Sequence, residues 1–218
     1  MRRWLLLFLL PLFARPASAD DRLFVRPWAE LEPLVRIEAE YPIPVEKARR
    51  KLLEEARVLL SGMAYGWTFL YTPGDRERRV EEVFVLTPVA EIRWGNPRLA
   101  VHETEVVDTR LFARISYSMD GEEAARRASW GSNSAAQSTG RGTASVFLGP
   151  DEKLASLAAA IREAVRVHLN ARVLNKPREI RGEVVLWDDP QTIVHAGSYT
   201  TTVRVKLQVS EVIPYRIF

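Results

Sequence analysis

The chain has 218 residues, 31 of them Lys or Arg and 28 Asp or Glu, with 47% hydrophobic residues and no cysteine. That length can bury a substantial core without cross-links, and the absence of cysteine excludes disulfides and a lipid-bearing N-terminal cysteine. The excess charge of +3 equals the three arginines Arg2, Arg3 and Arg15, so a chain cleaved after them is formally neutral, which argues against nucleic acid as a partner.

Residues 1–19 have the build of a secretory signal peptide. Met1-Arg2-Arg3 is a cationic start, Trp4 to Phe13 is almost wholly apolar, and Ala17-Ser18-Ala19 offers the small-residue pattern of a cleavage site before Asp20. The apolar run is short for a bilayer span and is interrupted by Pro11, so no stable membrane anchor is expected after cleavage. The expected location is periplasmic or secreted.

Residues 20–43 carry Pro27, Pro33 and Pro42 among apolar residues and read as an extended arm. A helix is expected from about Pro44 to Leu60, with Val45, Ala48, Leu52, Ala56, Leu59 and Met63 at helical spacing and Gly62 placed to stop it. Tyr65 to Tyr71 and Val80 to Leu86 read as a hairpin about a Thr72-Pro73-Gly74-Asp75 turn, followed by strands at Val89 to Trp94, Leu99 to Val107 and Leu111 to Met119. Asp120 to Ala128 reads as a short helix. Residues 129–149, rich in Ser and Gly to Ser145, read as a flexible loop. A second helix spans Pro150 to Leu169, and strands follow at Glu183 to Trp187, Thr192 to His195 and Tyr199 to Val212.

The fold class expected is therefore α+β: two helix-plus-antiparallel-meander units, residues 44–128 and 150–218, joined by the flexible loop. The units share landmarks. Pro44-Val45-Glu46-Lys47 and Pro150-Asp151-Glu152-Lys153 open the helices, and Trp94-Gly95-Asn96-Pro97 before Val101-His102 matches Trp187-Asp188-Asp189-Pro190 before Val194-His195. Two readings stand: an internal duplication, with a hairpin inserted in the first half, or the shared local chemistry of helix starts and proline turns.

No catalytic constellation is legible. His102, His168 and His195 lack the close spacing of metal ligands, and Ser129, Ser132, Ser134 and Ser138 fall in the Ser-rich tract without a nucleophile-elbow motif. No metal and no cofactor are expected. The binding candidates are aromatic: Trp130, set in the polar tract, Trp67 in a nearly all-apolar strand, and Trp94 and Trp187 at the two landmark turns.

Ala48 to Leu60, the meander, and Val106-Val107-Asp108-Thr109-Arg110-Leu111-Phe112-Ala113-Arg114-Ile115 running into Glu122-Glu123-Ala124-Ala125-Arg126-Arg127 resemble the N-terminal domain of the flagellar assembly protein T family and its small outer-membrane lipoprotein relatives. The resemblance covers about Ala48 to Ala128 and implies a helix on a small antiparallel sheet, export to the envelope, and an assembly role without catalytic residues. The function expected is a noncatalytic envelope module that binds or assembles with an envelope protein. The alternatives are a small-molecule or glycan carrier with an aromatic pocket, and a hydrolase with a site built from distant residues.

Overall fold

A computed structural model describes residues 21–35, 42–132, 134–170 and 176–215. The signal-peptide reading of residues 1–19 lies outside them, as do residues 36–41 of the arm.

The arm forms two short strands, β1 (Arg22–Val25) and β2 (Trp28–Glu30). Helix α1 (Val45–Ala64) follows, entered at Pro44 with φ −55° and carrying Glu46 in its first turn, where preset φ and the helix dipole both favour it. Its Ala48, Leu52, Ala56, Leu59 and Met63 are buried. Gly62 lies inside the helix rather than ending it, because the Trp67 indole packs there: a Cβ on Gly62 would stand 2.0 Å from Cη2 of that ring. The turn out of the helix falls at Gly66, with φ +73°, where a side chain would be strained.

Strands β3 (Trp67–Thr72) and β4 (Val83–Pro88) form the expected hairpin. Residues 89–94 are not a strand. Ile92 is instead buried against α1, its N–H donating to Ser61 Oγ (3.0 Å) and its carbonyl accepting from Arg57 Nε (2.9 Å). Strands β5 (Leu99–Val107) and β6 (Arg110–Ser118) lead into helix α2 (Gly121–Trp130). Asp120 and Glu123 cap α2 reciprocally.

The first sheet has β6 in its middle, with β1 and β2 along one edge and β5 along the other. α1 covers its inner face, where Leu23, Val25, Leu111, Ala113, Ile115 and Tyr117 are buried.

The Ser/Gly tract is the largest departure from the expectation. It is strand β7 (Ala136–Ser145), paired over its whole length with β10 (Ser198–Ile213) and lying beneath helix α3 (Glu152–Asn170). The small residues are what let that helix approach. A Cβ on Gly140 would lie 2.1 Å from the Ala160 carbonyl, and one on Gly142 2.2 Å from the Ala160 nitrogen. Ser138 Oγ donates to the Ala164 carbonyl at 2.7 Å. The flexibility expected of residues 129–149 is corrected on that ground.

Strands β8 (Glu179–Leu186) and β9 (Gln191–His195) pair with successive stretches of β10, giving the second sheet the order β4-β3-β8-β10-β7 with β9 also on β10. The hairpin of the first half thus joins the strands of the second, and the two helix-plus-meander units share one sheet through the β3–β8 pair. With β2, β4 and α2 left out, both halves run strand, helix, strand, then a hairpin whose last strand is flanked by the first strand and its hairpin partner. In the first half this is β1, α1, β3, β5 and β6; in the second it is β7, α3, β8, β9 and β10. The middle strands differ, however: β8 pairs with β10, whereas β3 pairs with β4 and β8 and lies outside the sheet of β6. The histidine landmarks sit differently: His195 adjoins the turn at Ala196, whereas His102 lies near a register shift well before the turn at Asp108.

Candidate functional site

Three stretches distant in sequence meet where the first turns of α1 and α3 approach the end of β2. They are residues 28–35, the exposed side of α1 from Lys47 to Glu55, and the short 3-10 turn Val146–Leu148 with the start of α3. Between them is an open groove of about 370 Å³, within the range of small-molecule and side-chain sites.

Its floor holds a buried polar network. Lys153 Nζ donates to Glu55 Oε2 and to the Trp28 carbonyl, both at 2.6 Å, and stands 3.9 Å from the Trp28 ring centroid. Burial pushes the Glu55 carboxyl up and the Lys153 ammonium down, while the charge of each partner opposes the shift in the other. Tyr199 donates to Glu30 Oε1 at 2.5 Å, and the Arg110 guanidinium stacks 4.4 Å from the Trp28 ring. Burial, followed by the Glu30 hydrogen bond, raises the Tyr199 hydroxyl far above its usual range. Lys153 Nζ is thus engaged by two oxygens and the face of an indole, which makes the floor a paired ionic network.

The walls are different in kind. Phe147 and Leu148 are 61% and 75% exposed and Leu34 is 39% exposed, all three bordering the groove. The turn that presents Phe147 and Leu148 is held from below by Val146, packed with Trp28 and Tyr199, and by the Ser145 hydroxyl accepting from the Phe147 N–H. Lys47, Lys51, Glu54 and Asp151 form the charged part of the lining, with Lys51 Nζ 3.4 Å from Asp151 Oδ1.

Asp189 neighbours this network. Its Oδ2 accepts from the Arg26 N–H at 2.9 Å, and its carboxyl is pushed up to about 6 by burial, with the charges of Glu55 and Asp188 adding to that and the Arg26 bond opposing it. Trp28 Nε1 donates to the Thr192 carbonyl (3.1 Å), so β2 is fastened to β9 beside the Arg26–Asp189 bond.

The four tryptophans singled out from the sequence do not form one pocket. Trp130 is buried in one cluster with Ala135 and Val185, against which the half-buried Trp187 packs, on the side of β8 away from the main core. Trp130 therefore packs on the body and offers no exposed anchor. Trp187 lies under Arg127, whose guanidinium is 4.3 Å from the ring and which donates to the Leu186 carbonyl at 2.6 Å and to the Trp187 carbonyl. Trp67 is buried in the core against Gly62. Trp94 is the exposed one, at 53%, with Arg50 and Arg57 near its ring.

His102 meets Ser116 on the outer face of the first sheet, Nε2 to Oγ 2.7 Å. Ser116 lies in the middle strand, opposite Phe24 of β1 on one side and Ala100 of β5 on the other. Among the described residues no group of three or more His, Asp or Glu side chains is arranged to hold a metal ion, and no helix is long and apolar enough to cross a membrane.

Sequence reading missed Lys153, Glu55, Phe147 and Leu148. Lys153 carried a signal: it falls on the buried stripe of α3 with Ser156, Leu157, Ala160 and Ala164, and a lysine on such a stripe needs a buried partner.

A protein-family model matches residues 13–215. An uncharacterized protein of Treponema pallidum (strain Nichols) is 28% identical over 197 residues, spanning 88% of this chain and 81% of its own length. No solved structure matches the chain.

Proposed function

We propose, from the premise that the chain belongs to the protein family whose model spans residues 13–215, that it is a noncatalytic binding module of the cell envelope that assembles with protein through the groove beside Phe147 and Leu148. The observation that carries this reading is the rigidly mounted pair of exposed apolar side chains bordering the groove. Exposed apolar residues clustered around a concave surface mark interaction sites, and the paired ionic floor supports a noncatalytic role. The signal-peptide pattern of residues 1–19 supports the envelope, and the resemblance of residues 48–128 to the flagellar assembly protein T family supports an assembly role. The test is association of the native protein in envelope extracts, compared with Phe147→Asp and Leu148→Asp. Loss of association with an unchanged thermal melt is expected; undiminished association would overturn the reading.

The groove's volume favours a second reading, a small-molecule carrier. A sugar would lack its usual aromatic platform, since two cations already stack on Trp28. Native mass spectrometry of the protein purified from its source would show a bound mass if this reading holds.

A further inference from the structure

We infer that the occupant of this groove is a second copy of the chain, each copy inserting its Phe147–Leu148 knob into the groove of the other about a twofold axis. The inference rests on the reading of the groove as a protein-binding surface. Its first support is shape. A twofold contact is isologous, so one patch must carry both a projection and the recess that receives it. Here both belong to one patch: Phe147 and Leu148 are the most exposed large apolar side chains described, and they border a recess walled by Ile43, Leu34 and Leu154.

The second support is charge. The rim carries both signs, with Lys47 and Lys51 on α1 and Asp151 at the start of α3. Lys47 makes no ion pair among the described residues, and the Asp151 side chain is 94% exposed. Lys51 already faces Asp151 of its own copy at 3.4 Å, so the charge a twofold axis would add is Lys47 of one copy against the exposed Asp151 of the other. A polyanion or an anionic membrane would meet Asp151 and Glu54 together with the lysines, so the mixed rim favours a surface of the same composition. The third is preorganisation. The knob is fixed by the Ser145 hydroxyl on the Phe147 N–H and by the Gly149 N–H donating to the Val146 carbonyl at 3.2 Å, so little ordering is lost on insertion.

Two short insertions make a contact at the small end of stable interfaces, and dissociation is expected at roughly 1–100 µM. Sedimentation equilibrium of the purified chain should show a monomer–dimer equilibrium in that range, and Leu148→Asp should weaken it at least tenfold with the melt unchanged. The chain has no cysteine, so single-cysteine variants report the geometry. Phe147→Cys mixed with Ile43→Cys should give a mixed disulfide faster than either variant alone, and faster than with Gln208→Cys on β10 as control. A chain monomeric at several hundred micromolar, or a dimer indifferent to Leu148→Asp and without the mixed disulfide, would overturn the inference. A monomer whose photocrosslinker at Phe147 captures a different protein would overturn the second copy but leave the binding reading. A monomer with no capture would remove both, and a monomer that only co-sediments with phosphatidylglycerol vesicles would assign the knob to a lipid surface instead.

Discussion

Lys153 Nζ lies 2.6 Å from Glu55 Oε2, in an ion pair that joins α3 to α1 with the two side chains only 7% and 15% exposed. A charge buried this deeply is tolerated because its partner is fixed, so the pair acts as a unit. Lys153→Met should destabilise the fold by roughly 3–5 kcal/mol, since it strands the Glu55 carboxyl. The double change Lys153→Met with Glu55→Leu should recover much of that loss. Urea denaturation of the single and double variants checks it, and equal losses in the two would refute the coupling.

Asp189 gives a pH dependence with a definite sign. A carboxyl pushed up to about 6, against an ordinary 3.8, binds its proton more tightly in the folded state. Its contribution to stability is therefore full below about pH 4 and is lost as the pH rises through 6. At about 1.4 kcal/mol per tenfold change in proton affinity, the effect is bounded near 3 kcal/mol. Asp189→Asn keeps an acceptor for the Arg26 N–H and should flatten that slope, raising stability at pH 7. Denaturant melts at pH 4, 5, 6 and 7 measure it, and an unaltered slope would place the titration elsewhere.

Trp130 is 6% exposed against Ala135, Val185 and Trp187. Trp130→Ala should lower stability by about 3–5 kcal/mol, reduced where the site collapses. A thermal melt indistinguishable from that of the unaltered chain would contradict this packing.

The helices were legible because apolar residues at three- and four-residue spacing commit one face: Ala48, Leu52, Ala56 and Leu59 on α1, Leu157, Ile161, Ala164 and Val165 on α3. The hairpins were legible from their turns. Strand β7 was not, because Gly140 and Gly142 have the composition of a connector and their purpose, admitting Ala160 and Ala164, belongs to another element. Pairing of β3 with β8 was equally hidden, since Phe69 opposite Gly182 leaves no mark in either local sequence. The groove was the least legible feature. Its residues come from three separated stretches, and Phe147-Leu148 reads as an ordinary apolar pair until the turn that exposes it is known.

Strand β10 pairs with β7, β8 and β9, and it follows all three in the chain. Until residues 198–213 are in place, β7 has no neighbour in the sheet and α3 lacks part of its seat. Closure of the second sheet therefore waits on contacts between residues far apart in sequence, including Thr68 with Glu183 and Lys206 with Gln137. Such contacts impose a loop-closure cost before they return any stability, so folding is expected to be slow relative to a helical chain of this size. A change that weakens β10 is therefore felt at once in β7, β8, β9 and α3.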